Sequence, residues 1–248
     1  MDGFEKFLDI FIDHAKKELA EKDYGNDPEY REVFVSQILG LDGPKQMKRK
    51  ITPSFTFFSK LYVGFKEIAD SYYCLVDIET YIGRFPYGDT RISKTRHLAY
   101  HMENYLNEVY ILKERLTSYF TIIGRLYRKD RRHLNILKVT KSFFPFVNNS
   151  LKGIIDTRGS HVHRTRFNDE DIDKLSTQEL LAVHGGEELQ LIGNIFKMDY
   201  RAARKKYKET INRNNTLIKK MLDACFDVLL QIVMDKNGQL KYPKIEKA

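Results

Sequence analysis

The segment Asp156-Thr157-Arg158-Gly159-Ser160-His161-Val162-His163-Arg164 places a permanent cation, a hydroxyl and two imidazoles within the six residues from Arg158 to His163. Arginine holds a phosphate through two parallel charge-assisted hydrogen bonds, and histidine, with an ordinary pKa of about 6.5, exchanges a proton near neutrality. These groups suit phosphodiester chemistry. In continuous helix, Asp156, Ser160 and His163 share nearly one face, while Arg158, His161 and Val162 share another. Asp156 then orients His163, provided that Gly159 stays helical, and His161 rivals His163 for proton transfer. A structural use stays open: Arg158 pairs with Asp156 or with a helix-end carbonyl. Arg164 and Arg166 extend the positive charge, either to track a nucleic-acid backbone or to pair with Asp169, Glu170, Asp171 and Asp173 just downstream.

A second polar stripe runs through His97, His101, Asn104, Glu108 and Arg115. His97 and His101 stand at i and i+4 with Glu108 two turns on, a spacing at which two imidazoles and a carboxylate can meet a metal. No Glu-x-x-His pair and no second ligand set accompany them, so no metal and no cofactor are expected. The stripe reads instead as buried hydrogen bonds. Gly185-Gly186 is a helix stop with His184 as a partner of the helix dipole. Tyr127, between Arg125 and Arg128, is a candidate for stacking on a base. Cys74 and Cys225 sit in apolar helical surroundings and read as reduced core thiols.

The elements that must position these residues are helices. Phe4, Phe7, Leu8, Phe11, Ala15 and Leu19 predict an amphipathic helix from Gly3 to about Lys22. Asp27-Pro28 predicts a short helix ending before Gly40, and a basic loop with Lys45, Lys48, Arg49 and Lys50 follows. These residues, 1–50, read as an N-terminal helical appendage, with 51–248 as the main bundle. A helix over about 54–82 carries Phe57, Phe58, Leu61, Phe65, Ile68, Tyr72, Leu75 and Ile78. Leu98, Met102, Tyr105, Val109, Leu112, Leu116, Tyr119, Ile123 and Leu126 alternate spacings of four and three, which demands a long partner helix within a bundle or across a dimer. Pro145 starts or kinks the helix leading into Arg158. Ser176-Thr177-Gln178-Glu179 reads as a capping box, and a last helix runs from Glu187 towards Asp235, heptad-like at Ile218, Met221, Cys225, Val228 and Ile232. No strand and no repeat emerges.

Composition points the same way. With 14 Gly, 6 Pro and 42% apolar residues in 248, the chain reads as a globular, largely helical protein. The opening Met-Asp-Gly-Phe-Glu-Lys has no signal-peptide pattern, and no apolar run approaches the roughly 18 residues that span a bilayer, so a soluble cytoplasmic protein without membrane contact is expected. The net charge of +8 is unevenly spread: residues 91–138 hold 11 Lys/Arg against 4 Asp/Glu, and 197–220 hold 9 against 2. Arg125, Arg128, Arg131 and Arg132 belong to the first of these runs. Such asymmetry suits a basic surface that attracts RNA or another polyanion, or equally a solvated helix face.

The Arg158-x4-His163 spacing, set among long helices and followed by Val162-His163-Arg164-Thr165-Arg166-Phe167, resembles the HEPN superfamily of all-α domains, whose motif is an Arg, four to six residues, then a His near a helix N-terminus. The resemblance covers about residues 54–235. It implies an all-α, dimeric long-helix bundle and a metal-independent endoribonuclease, of toxin or phage-defence type, with a homodimer and an antitoxin or other protein as partners. Arg158 becomes the phosphate-binding cation and His163 the proton-transferring group, while Asn104 or Glu108 supplies the polar residue that such domains carry on an earlier helix. One position departs from the family's pattern: Gly159 stands where a polar Asn, Asp or His is common. A glycine there loosens the motif or lets a phosphate approach the backbone. The alternative is a non-catalytic module of the same fold that binds RNA, nucleotide or protein.

Overall fold

The computed structural model describes residues 2–21, 28, 32, 35–36, 53–85, 92–128, 134–162, 167, 169–235 and 240–243; within its helices the side chains of 15, 18–21, 53–55, 134, 158–162 and 188 are outside the description. Six α-helices account for most of these residues: α1 Gly3–Glu21, α2 Pro53–Ile82, α3 Lys94–Tyr127, α4 Leu134–Val162, α5 Glu170–His184 and α6 Gln190–Val233. A 3₁₀ turn, Glu187–Leu189, precedes α6. The only extended pairing among the described residues is an isolated antiparallel bridge, Met234 to Leu240. The fold is all-α. No described helix is long and apolar enough to cross a membrane. The predicted short helix over 28–39 and the basic loop after it lie, apart from Pro28, Glu32, Val35 and Ser36, outside the described residues.

The chain forms two compact units, Met1–Ala69 with Glu114–Val147 and Lys219–Ala248, and Asp70–Lys113 with Asn148–Ile218. In the first, α1 is core: Phe4, Phe7 and Phe11 are buried, and their rings lie 5.2–5.5 Å from that of Phe65. Phe226 closes the cluster at 5.2 Å from Phe65. This division does not fall at residue 50, because a helix with three buried phenylalanines is stable only against the helices it covers. Close approach of α2 and α3 depends on Gly64, where a Cβ would stand 2.6 Å from the Tyr119 ring.

The second unit is capped by carboxylates. Asp169 is the N-cap of α5, accepting from the Ile172 amide at 3.0 Å. The expected capping box Ser176–Glu179 lies inside α5 instead, because Asp169 satisfies the amides seven residues earlier. Glu179 caps a different helix, accepting from Ser93 Oγ at 2.5 Å and from the amides of Lys94 and Thr95 at 2.7 and 3.1 Å, at the start of α3. At the other end of α5, Gly185 donates to the Leu181 carbonyl, and Gly186, at φ +63°, turns the chain as the glycine pair predicts.

The apolar seam of α3 is buried from Leu98 to Ile123, so its partners lie within the chain and it is not the exposed face of a dimer. On α6 the predicted positions Ile218, Met221 and Cys225 are buried, while Val228 is exposed and Ile232 half-buried, and the buried face continues instead through Leu222, Phe226, Leu229 and Val233. The expected heptad holds at its first three positions and fails at its last two, because a straight helix drifts from a seven-residue repeat. Pro145 sits inside α4 and does not start it; Ile136, Phe143, Val147 and Leu151 carry a buried face past it. Cys74 is exposed, which corrects its reading as a core thiol, whereas Cys225 is buried and its thiol is pushed up to about 12 by that burial.

Replacing Gly64 by Ala forces the fully buried Tyr119 ring to shift and is expected to cost about 1–3 kcal/mol of stability, read from urea denaturation. An unchanged midpoint would contradict the close approach.

Candidate functional site

The Arg158 motif falls in the second unit, at the end of α4. Arg158, Gly159, Ser160, His161 and Val162 form the last helical turn, so Gly159 is helical. His163, Arg164 and Arg166 are outside the described residues, as are Arg131 and Arg132, and so are the side chains of Arg158, Ser160 and His161. The predicted face shared by Asp156, Ser160 and His163 lies, at His163 and at the Ser160 side chain, outside the described residues. Asp156 itself is exposed.

What surrounds the motif is well defined. Thr157 and Phe167, the described residues on either side of it, both line one cavity of about 520 Å³ in the second unit. The nine residues 158–166 are therefore tethered at both ends to that cavity's wall. Other wall residues come from α6, among them Lys206, Tyr207 and Arg213, and from α3, including Met102 and Tyr105. Thr157 donates to the Gly153 carbonyl, at 2.9 Å, which holds its hydroxyl against the helix. Asp169 Oδ1 accepts from the Tyr207 hydroxyl at 2.5 Å as well as from the Ile172 amide. One carboxylate thus fixes both the start of α5 and a phenol in the wall.

The wall sets two cations and the Tyr207 phenol beside one carboxylate, Asp169. Tyr207 is raised far above the ordinary phenol range by burial and by its bond to Asp169, so it stays protonated and donates. Lys206 is paired with Asp171 at 2.5 Å and is held protonated by that bond. The acids downstream of Arg166 thus have partners on α6: Asp169 holds Tyr207, and Asp171 holds Lys206. Arg213 adds a guanidinium to the lining. None of the described wall residues is a histidine or a cysteine, and the one carboxylate in the wall, Asp169, already accepts from Tyr207 and from the Ile172 amide.

Asn104 is half-buried and lines an adjoining cavity of about 610 Å³, of which Phe167 is also a wall, together with Thr95, Asn107 and Ile172. That puts one candidate polar residue of α3 beside the chain just after the motif. Glu108 is half-buried and lines neither cavity. Arg125 and Arg128, both exposed, belong to the first unit, where Arg125 lines a separate groove with Lys60 and Glu67. Tyr127 does not stack on a base: it is fully buried, its ring meets Phe57 edge-on at 5.6 Å, and its hydroxyl donates to the Lys241 carbonyl at 2.7 Å. Lys206, Tyr207 and Arg213 escaped the sequence reading individually; the charge excess over 197–220 was their only signal.

His97 and His101 meet through their Nε2 atoms, 3.2 Å apart, at a ring separation of 4.5 Å. Among the described residues they belong to no group of three or more metal-ligating side chains. Burial lowers the pKa of both, and His97 lowers His101 further, so at neutral pH both rings are neutral and one donates its single Nε2 proton to the other. Tyr81, Phe85 and Tyr100 pack around the pair.

Because these native values lie below the ordinary 6.5, the unfolded chain binds more protons, and their contribution to stability is present above about pH 6.5 and lost as pH falls through the native values. His101→Gln is expected to flatten the loss of stability between about pH 6.5 and 5, followed by urea denaturation across that range. An undiminished slope would contradict the buried neutral pair.

Comparison of the chain with protein-family models, with curated proteins and with solved structures finds no match.

Proposed function

We propose that the protein handles RNA and acts as a HEPN-like, metal-independent endoribonuclease, with Arg158 binding the scissile phosphate and His163 transferring the proton. The observation that carries this reading is the cavity of about 520 Å³ lined by Thr157 and Phe167, the residues that bracket the motif, with Arg213 and Lys206 in its wall. A cavity of that size suits a nucleotide-sized ligand. In the proposed reaction the 2′-oxygen of a ribose attacks the adjacent phosphorus and loses its proton to a neutral imidazole. The bond from phosphorus to the 5′-oxygen breaks, that oxygen takes up a proton from an imidazolium, and a 2′,3′-cyclic phosphate remains. Arg158 offsets the charge that develops on the equatorial oxygens. A second motif, from another copy of the chain, supplies the second imidazole.

One observation favours a non-catalytic RNA- or nucleotide-binding role at the same cavity. Among the described residues, the wall of this cavity holds cations and hydrogen-bond donors but neither a histidine nor a cysteine, which suits binding without chemistry.

The two readings separate in one assay. A labelled single-stranded RNA incubated with protein in EDTA is expected to be cleaved by the wild type, with at least a hundredfold loss in both Arg158→Ala and His163→Ala. Cleavage retained in both variants would overturn the assignment. Salt-sensitive binding without cleavage, surviving His163→Ala, would establish the non-catalytic reading instead.

A further inference from the structure

Helix α6 is apolar on two sides along its first turns. One side is core, with Phe196, Tyr200, Ala203 and Tyr207 each less than 9% exposed. The other carries Leu191, Ile195, Met198 and Ala202, spaced four, three and four, and here Leu191 is 71% and Met198 70% exposed, with Ile195 at 42%. That spacing is the seam of a coiled coil, and a seam of this kind turned to solvent lacks the helix it is built to meet. The three large side chains form a contiguous exposed apolar row, the kind of surface feature that can mark an interaction site.

We propose that this seam is a homodimer interface, in which α6 packs antiparallel against α6 of a second copy about a two-fold axis between residues 196 and 197. The register follows from the side chains. Reversing the helix about that point sets Leu191 against Ala202 of the second copy and Ile195 against Met198, so large meets small at the ends and two flexible-to-branched pairs fill the centre. Charge selects the same direction. The exposed Glu187 precedes the seam, while the exposed Arg201 and Lys205 follow its centre. Antiparallel pairing brings Glu187 of each copy beside Lys205 of the other, whereas parallel pairing sets like charge against like. Among the described residues Lys205 makes a long, solvent-exposed ion pair with Glu209, at 3.9 Å, which does not compete strongly. A row of three large side chains covers less than the roughly 800 Å² per partner of a standard interface, so the dimer is expected to be reversible, forming at micromolar concentrations.

The interface stands apart from the RNA reading and does not depend on it. Sedimentation equilibrium of the full chain across the micromolar range is expected to show a monomer–dimer equilibrium. Met198→Asp and Leu191→Asp should each weaken it by about a hundredfold, since two-fold symmetry introduces every change twice. Glu187→Lys should weaken it less, and Lys205→Glu added to that variant should restore it. Circular dichroism of each variant reports whether the helices are kept. A wild type that stays monomeric throughout the range, or a dimer that both aspartate variants leave intact, would overturn the proposal.

Discussion

Burial of the apolar seams along α2, α3, α4 and α6 is the constraint from which the rest of the structure follows. Helices of 29 to 44 residues with one apolar face have no place for that face except against another helix. Each unit meets this need in its own way. The first gathers phenylalanines from α1, α2 and α6 around Phe65, and the second packs α3 and α6 around a single buried amide. Asn215 in that core accepts from the Tyr105 hydroxyl at 3.0 Å and donates to the Leu75 carbonyl at 3.2 Å, so its polarity is satisfied. A hydrophobic residue at 215 would strand both partners.

Carboxylates then fix the ends of the elements that seams alone leave free to slide. Glu179 ties the middle of α5 to the first turn of α3, and Asp169 ties its start to Tyr207 on α6. Phe167 is buried two residues before Asp169, so the chain leaving the motif is anchored by packing and by hydrogen bonds within a short span. On the entering side Thr157 is held by α4. The segment between them has a defined origin, a defined destination and a cavity in common to both.

How far the sequence revealed this depends on which physical signal was local. The helices were legible because apolar spacing is a property of neighbours in the chain: the run from Leu98 to Ile123 and the start at Gly3 match the structure closely. Caps were less legible. Ser176–Glu179 has the composition of a capping box, yet Glu179 serves the helix that begins near Ser93, a choice made by packing between segments distant in sequence. Tyr127 looked like a stacking residue beside two arginines, but its ring points into the core, as helical phase at one residue's resolution decides. The Arg158 motif was visible as chemistry, while the cavity beside it was not, since its wall comes from α3, α4 and α6.

The cavity wall thus combines Lys206, Arg213 and a protonated Tyr207 with an Asp169 carboxylate engaged in hydrogen bonds, and it borders a segment whose sequence is rich in arginine and histidine. Protonated Tyr207, charged Arg213 and the paired Lys206 can position a phosphate without changing their own protonation state. In the proposed reaction the change of protonation falls to the histidines of the motif. The central claim is that RNA occupies the cavity between Thr157 and Phe167, and photo-crosslinking to an RNA carrying 4-thiouridine, with the modified peptides identified by mass spectrometry, tests it most directly. The account predicts crosslinks concentrated on peptides spanning 157–167 and 206–213; crosslinks confined to other parts of the chain, or none at low salt, would contradict it.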